Sequence, residues 1–190
     1  FTAIWIFLMI GICIYLNKKK GKILYIIFFI LAFALFITNN IYYSMTNSFF
    51  DFSLVLLAGE GSDYFLDAII NCNIWVYISS IIIIFSFIVA LKEFPNREKT
   101  KLKNIIKVFF IFLIVHSIIP LFLGKANNEL TWSTWRNPRN IYINFNDNNK
   151  SMTITGIYEY SVRNFYITFI KAKKTTNEED LTFLETEYSK

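Results

Sequence analysis

The chain has 190 residues, of which 55% are hydrophobic and 19% aromatic, and its mean hydropathy is +0.43. A composition this apolar excludes an ordinary soluble domain and indicates a membrane protein. The net charge of +5 comes from short basic clusters between apolar segments, a distribution that argues against nucleic-acid binding. Cys13 and Cys72 stand at unrelated positions, so we expect small buried residues rather than a disulfide framework or a metal site.

Four apolar segments predict membrane-spanning helices, at residues 1–16, 23–43, 74–91 and 105–123. A spanning helix needs about 20 mostly apolar residues, and each segment approaches or reaches that length. Their Ile, Leu and Phe residues are too continuous for an amphipathic surface stripe. We therefore predict an all-α membrane protein whose transmembrane domain covers residues 1–123. Because the chain begins with Phe1 inside an apolar run, we expect one more span upstream in the intact protein.

The charges of the loops predict the orientation of these spans. Residues 17–22 and 92–107 carry ten Lys and Arg side chains, whereas residues 41–73 carry none and contain four acidic residues. By the positive-inside rule, the two basic loops face the cytoplasm. The segments 44–72 and 124–190 are then extracellular, in a multi-pass protein of the cell membrane.

The loop at residues 44–72 is predicted to lie at the membrane surface. Its apolar residues are too few to span a membrane and too many for a solvated loop, which indicates short interfacial helices interrupted at residues 59–61. Tyr42 and Tyr43, just before this loop, suit the depth of the lipid headgroups. The acidic residues of the loop allow two interpretations, a site for a cation or headgroup and ordinary solvated charges.

The fourth span contains His116 near its middle and Pro120, which predicts a kink, one turn later. A histidine inside the membrane can relay protons, but no charged residue occurs at comparable depth in the other spans. The favoured interpretation is therefore a neutral histidine hydrogen-bonded to a neighbouring helix.

An aromatic and basic cluster follows the fourth span. Trp132, Trp135 and Arg136 predict an anchor in the outer leaflet, with the indole rings at the interface and the guanidinium near lipid phosphates. We expect them, together with Tyr42 and Tyr43, to contact lipid.

Residues 124–190 are polar and rich in asparagine, and we predict an extracellular linker with helical segments. The stretch 137–152 reads as a proline-bearing turn followed by an Asn/Asp cluster. Apolar residues then recur with helical spacing from Ile157 to Ile170, after Gly156. Thr176 and Glu179 have capping-box spacing, which predicts a short helix over residues 177–188. A region this small with so few core residues cannot form an independent catalytic domain.

No motif for catalysis is evident in the sequence. It contains no nucleophile elbow, HExxH, P-loop or CxxC motif, and it has one histidine. We therefore assign no catalytic, cofactor-binding or metal-binding residue to this chain.

The layout of the spans and two aromatic strings resemble a known family. NNIYYSMTNSFFDF at residues 39–52 and TGIYEYSVRNFY at residues 155–166 are similar to the membrane region of lipoteichoic acid synthase-type phosphoglycerol transferases, in the sulfatase/alkaline phosphatase superfamily. The resemblance covers most of the chain. It implies five spans in the parent protein, then a linker and a large extracellular catalytic domain with a threonine nucleophile and a divalent metal, Mn or Mg.

The resemblance implies a cell-envelope enzyme that moves phosphoglycerol, or a related group, from a membrane lipid to an envelope polymer or glycolipid. Its partners would be membrane lipids, such as phosphatidylglycerol or a glycolipid, and its own extracellular domain, but no nucleic acid. High Ile, Asn and Lys usage agrees with an AT-rich Gram-positive bacterium. The main alternative is a non-enzymatic membrane module, such as a sensor or an accessory subunit, and a transporter fragment is third.

Overall fold

The computed structural model describes residues 1–57, 65–127 and 134–171, and every regular element in these ranges is helical, which confirms the all-α part of the predicted fold class there. The α-helices are α1 (Thr2–Tyr15), α2 (Lys18–Thr46), α3 (Phe65–Ile70), α4 (Ile74–Lys92), α5 (Leu102–Ile118), α6 (Pro138–Asn144) and α7 (Asn148–Phe165). Short 3-10 turns occupy Phe52–Leu57, Ile119–Leu123 and Thr134–Arg136, and a π-helical turn, Tyr166–Lys171, follows α7. The predicted helix over 177–188 and the predicted interruption at 59–61 lie outside the described residues.

Three helices are long and apolar enough to cross a membrane: α2, α4 and the continuous stretch Leu102–Leu123. In the most apolar 18-residue stretch of each helix, only 6%, 11% and 17% of the stretch, respectively, is buried inside the protein. Large side chains such as Ile81 and Phe85 are about two-thirds exposed, at 68% and 67%, so they need another apolar medium around them. These helices indicate a membrane-embedded protein.

Two details of the predicted spans differ in the structure. α1 is apolar but has 14 residues, fewer than the about 17 that a short span requires. The span at residues 1–16 therefore stays a prediction. The helix that begins at Leu102 changes from α to 3-10 geometry at Ile119, one residue before Pro120, and the kink at Pro120 stays a prediction.

Asparagines define several ends of the apolar helices. The Asn17 side chain accepts a hydrogen bond from a backbone amide at the start of α2, and Asn73 does the same at the start of α4, both at 3.0 Å. Asn47 ends α2 in the left-handed conformation, with φ of 55°, which asparagine tolerates better than most residues. α4 begins at the predicted residue 74, whereas α2 begins five residues before and ends three residues after the predicted span at 23–43, because its capping asparagines lie beyond the apolar residues.

The stretch 137–152, predicted as a turn and a polar cluster, instead forms α6 and the beginning of α7. The Asn137 side chain caps α6 by accepting hydrogen bonds from two backbone amides, and Pro138 takes the first helical position, where no amide is needed. Asp147 caps α7 through one amide at 3.0 Å. Asn and Asp favour both turns and helix starts, so composition alone does not distinguish the two.

The two basic loops lie against each other at one end of the helix bundle. The Lys18 amide donates to the Arg97 carbonyl at 2.8 Å, and the Lys101 amide donates to the Tyr15 carbonyl at 2.9 Å. The Arg97 guanidinium also lies 5.0 Å from the centre of the Tyr15 ring. The loops that the sequence assigns to one side of the membrane therefore share one end of the molecule.

A small apolar core lies at the opposite end, in the part formed by α6, α7 and the segment after α2. Its buried members are Phe145, Met152 and Tyr160, and the partly buried Phe49, Ile157 and Ile167 pack around them. The apolar spans need no such core between them, because lipid covers most of their surface. The end opposite the basic loops is consequently where polar and apolar contacts fix one helix against another.

Candidate functional site

A buried carboxylate joins four helices at the end opposite the basic loops. Glu159 of α7 is only 3% exposed. Its Oε2 atom lies 2.9 Å from Nε1 of Trp5 on α1 and 2.8 Å from Nε2 of His116 on α5. Its Oε1 atom accepts a longer hydrogen bond, 3.4 Å, from the hydroxyl of Tyr142 on α6. These four residues form the Glu159 cluster.

The backbone at Gly156 brings α7 onto α1. Gly156 interrupts α7 with φ of 74° and ψ of 169°, a conformation that essentially only glycine adopts. There is also no room for a side chain at residue 156, because a Cβ there would collide with the Thr2 hydroxyl. Glu159 and Trp5 each lie three residues beyond this contact, so the close approach at Gly156 sets the distance between them.

Aromatic rings cover the Glu159 cluster. Phe1 stacks on Tyr142 with ring centroids 5.3 Å apart, and the Phe112 ring lies 5.0 Å from Trp5 and 5.2 Å from His116. Such rings exclude water, which strengthens each hydrogen bond and raises the free-energy cost of an unpaired charge. An ionised Glu159 accepts only, so the imidazole Nε2 then carries the hydrogen that they share.

A guanidinium lies beside the Tyr142 ring. Arg163, one turn after Glu159, has its Cζ atom 4.0 Å from the ring centroid, and its Nη2 donates a long hydrogen bond, 3.5 Å, to the Ile143 carbonyl. Burial raises the pKa of Tyr142, the Glu159 charge raises it further, and Arg163 opposes both. The phenol is therefore protonated at neutral pH and remains a donor to Glu159.

The geometry of the Glu159 cluster suits holding helices together. Both carboxylate oxygens point at donors from other helices, and the group has almost no exposed surface on which a substrate could meet it. Within residues 1–57, 65–127 and 134–171, no group of three or more His, Cys, Asp or Glu side chains is arranged to hold a metal ion. The cluster connects α7 and α6 to the ends of α1 and α5 that lie opposite the basic loops.

A second set of polar contacts ties residues 47–53, the clamped segment, to α7. The Asn149 side chain accepts a hydrogen bond from the Phe49 amide at 2.9 Å and donates one to the Asn47 carbonyl at 2.8 Å. The Asn164 side chain accepts from the Phe52 amide at 2.7 Å. An asparagine amide offers a donor and an acceptor side by side, so it satisfies an irregular backbone without a strand or helix.

Two more side chains hold the clamped segment. The hydroxyl of Tyr160, which is 1% exposed, donates to the Phe50 carbonyl at 3.0 Å. The Asn148 side chain donates to the Asp51 carboxylate at 2.9 Å. Burial raises the pKa of Asp51, but hydrogen bonds from Ser53 and from asparagine side chains outweigh this and hold the pKa below its ordinary value. α7 thus contacts the segment after α2 as well as α1 and α5.

Tyr42 and Tyr43, predicted as lipid contacts, pack against the clamped segment. The Tyr42 ring meets Phe50 edge-on with centroids 5.7 Å apart, and Tyr43 stacks on Phe49 at 4.8 Å. Tyr43 keeps 42% of its surface exposed. The two tyrosines therefore support the clamped segment, and their lipid contact stays a prediction.

Trp135 and Arg136, the other predicted anchor residues within the described ranges, lie in the short turn before α6. Trp135 is 46% exposed, and two cations lie over its ring, the Arg136 guanidinium at 4.7 Å and the Lys150 ammonium at 3.7 Å from the centroid. Trp132 lies outside the described residues. An exposed indole with nearby cations suits the headgroup region of a membrane. This arrangement is consistent with an anchor, and contact with lipid stays a prediction.

The predicted hydrogen bond from His116 to a neighbouring helix is confirmed, but its partner is the carboxylate of Glu159. Sequence reasoning missed Glu159 because it looked for charged partners only within the spans, and Glu159 follows His116 by 43 residues. The available signal was a single carboxylate between Tyr158 and Tyr160, in a segment that the spacing of its apolar residues predicts to be helical.

The remaining predictions for single residues have mixed outcomes. Cys13 and Cys72 are buried and free, as expected. Of the four acidic residues in the loop after α2, Asp51 belongs to the clamped segment and Asp67 is exposed on α3. Glu60 and Asp63 lie outside the described residues. The described carboxylates of this loop are therefore used differently from one another, rather than gathered into one site.

No protein-family model, no curated protein sequence and no solved structure matches the chain. The resemblance to the phosphoglycerol transferases therefore remains a prediction that rests on layout and aromatic strings. The geometry of the Glu159 cluster and of the clamped segment stands independently of that resemblance, because it comes from the described contacts alone.

Proposed function

We propose that this chain is the membrane anchor and outer platform of a cell-envelope phosphoglycerol transferase of the sulfatase superfamily, the family that it resembles. In this role, α1, α2, α4 and α5 cross the cell membrane, the basic loops face the cytoplasm, and α6 and α7 lie at the outer surface. The catalytic domain comes after the platform in the chain, and the platform holds it near the donor lipid.

The distribution of charge and structure along the molecule supports the proposed orientation. The basic loops meet at one end of the bundle, and the clamped segment meets α7 at the other. Basic residues are retained on the cytoplasmic side of membrane proteins. The end that carries the Glu159 cluster is then the outer end.

The attachment of α7 is the observation that carries the proposal. Near its start, Asn149 holds the clamped segment, and beyond its kink, Glu159 reaches α1 and α5. A helix fixed at two separated points to different spans cannot swing freely relative to the membrane. A domain attached beyond α7 is consequently held at a defined height and direction.

Fixed height matters for the proposed chemistry. A phosphoglycerol donor keeps its acyl chains in the bilayer, so its phosphate is available only at the depth of the headgroups. A catalytic domain held at that depth gains from proximity, because substrate and reactive groups need not be brought together at each turnover. Trp132, Trp135 and Arg136 would add contacts with the same headgroup region.

The encoding gene provides the first test of this proposal. An in-frame domain of the sulfatase type after Lys190, with a threonine among acidic and histidine metal ligands, would support it. A stop codon directly after Lys190 would contradict it and favour the non-enzymatic membrane module instead.

A biochemical test separates positioning from catalysis in the full-length protein. We expect Glu159→Gln to slow the consumption of fluorescent phosphatidylglycerol in liposomes, because the platform loosens, while hydrolysis of a soluble phosphodiester stays unchanged. Glu98→Gln, an exposed acidic residue in a basic loop, is the matched control. Equal rates on the membrane lipid for both variants, at equal expression, would contradict the positioning role.

A further inference from the structure

A groove lies between α1 and α5 on the half of the bundle nearest the basic loops. We propose that this groove binds one acyl chain of an anionic phospholipid from the adjacent leaflet, with Lys107 contacting the headgroup phosphate. The groove lies away from the Glu159 cluster, so the inference does not depend on the proposed function.

The wall of the groove suits a hydrocarbon chain. The volume of the groove is about 670 Å³, and its apolar lining consists of Phe7, Ile10, Gly11, Ile14, Val108 and Ile111. Gly11 leaves no side chain between the helices at this level, since a Cβ there would come within 2.8 Å of a Val108 methyl group. α1 and α5 therefore approach closely at Gly11, and the larger lining side chains of both helices border the groove.

The length of the groove favours a lipid chain over another helix. On α1 the lining extends over the nine residues from Phe7 to Tyr15, a rise of about 12 Å along the helix. One leaflet contributes about 15 Å of the hydrocarbon core, whereas a spanning helix would need a contact surface of about 30 Å. The groove thus matches the depth of one leaflet.

The polar end of the groove favours an anionic headgroup. Tyr15, Asn104 and Lys107 line it there, beside the loops that together carry ten Lys and Arg residues. Lys107 is exposed and forms no ion pair with any residue that the structure describes. A phosphate at this level would meet a free ammonium group and an overall basic surface, a combination that favours anionic over neutral lipids.

Native mass spectrometry of the purified chain in a neutral detergent tests the proposal with two lipids, dioleoyl phosphatidylglycerol and dioleoyl phosphatidylcholine. We expect the chain to retain the anionic lipid preferentially and Lys107→Gln to weaken that binding about fivefold. Lys103→Gln, one turn earlier on α5 and outside the groove lining, should change it by less than about twofold. Soluble glycerol phosphate should not compete, because it lacks the chains.

A second pair of variants tests the hydrocarbon part. Ile111→Trp fills the groove and should weaken the retention of the anionic lipid, whereas Phe110→Trp, on the neighbouring lipid-facing surface, should not. Equal retention of both lipids, or equal losses for Lys107→Gln and Lys103→Gln, would overturn the proposal. A change of oligomeric state in Ile111→Trp without loss of lipid would assign the groove to a second copy of the chain and would also overturn it.

Discussion

Hydrogen bonds from three helices reach the carboxylate of Glu159, and their value depends on the burial of every partner. A typical hydrogen bond stabilises a protein by about 1 kcal/mol, because water would otherwise take its place. Leaving a buried donor unpaired costs more, about 1–3 kcal/mol. Single substitutions in the Glu159 cluster should therefore affect stability more than substitutions of exposed polar residues.

Replacing Glu159 with glutamine tests this expectation. Glu159→Gln keeps the shape of the side chain but removes the charge and one acceptor, so we expect a loss of about 1–3 kcal/mol in unfolding free energy. The measurement is unfolding of the purified chain in detergent, followed by tryptophan fluorescence. Glu98→Gln is the exposed control. Trp5→Phe should reduce the free energy of unfolding less in the Glu159→Gln variant than in the wild type. Strictly additive losses of unfolding free energy would contradict a shared site.

Asp51 should make stability depend on acid pH. Its pKa is held below the ordinary 3.8 in the folded protein, so the ionised form stabilises the fold above the unfolded pKa. That contribution is lost as pH falls through the folded pKa. We expect the melting temperature of Asp51→Asn to fall less than that of the wild type between about pH 5 and about pH 3. Asp67→Asn, an exposed carboxylate on α3, is the control, and parallel curves for wild type and Asp51→Asn would contradict this role.

At the scale of helices, the kink in α7 allows one helix to satisfy two different neighbours. The part before Gly156 holds the clamped segment through Asn149, and the part after it carries Glu159 to α1 and α5. In a straight α-helix both parts would share one axis, so they could not be directed separately at these two neighbours. The energetic cost of the kink is confined to one residue that has no Cβ to strain.

Gly156→Ala separates the two constraints on that residue. Gly124 has a similar backbone conformation, with φ of 85° and ψ of −163°, but no residue that the structure describes lies within 4 Å of its Cβ position. Gly124→Ala should therefore report the backbone cost alone, about 1–3 kcal/mol. Gly156→Ala should be more destabilising in the same thermal unfolding assay, because its Cβ also meets the Thr2 hydroxyl. Thr2→Ala should restore part of the difference, and equal losses for the two glycine variants would contradict the close packing of α7 on α1.

For the whole molecule, the apolar spans were the most predictable part. Runs of Ile, Leu and Phe beside Asn17, Asn47 and Asn73 define both the helices and their ends within one stretch of sequence. The grouping of the two basic loops also follows from local charge. These features need no knowledge of distant contacts.

The end opposite the basic loops was less predictable because its contacts join distant residues. Asn149 pairs with Phe49 across 100 positions, and Asn164 with Phe52 across 112. An asparagine gives the same local signal in a turn, at a helix start or in such a clamp. The sequence therefore identified the region as polar and helical in part, but it did not reveal which backbone each asparagine holds.

Single cysteines can measure the orientation of the whole bundle in the membrane. In a Cys13→Ala, Cys72→Ala background, Lys99→Cys marks a basic loop and Asn146→Cys marks the segment between α6 and α7, both at exposed positions. In the proposed orientation the basic loops lie in the cytoplasm, so a membrane-impermeant maleimide should label Asn146→Cys in intact cells and Lys99→Cys only after permeabilisation. Labelling of both after permeabilisation is the control for reactivity. Labelling of Lys99→Cys in intact cells would reverse the orientation and place the Glu159 cluster on the cytoplasmic side, where an extracellular platform is impossible.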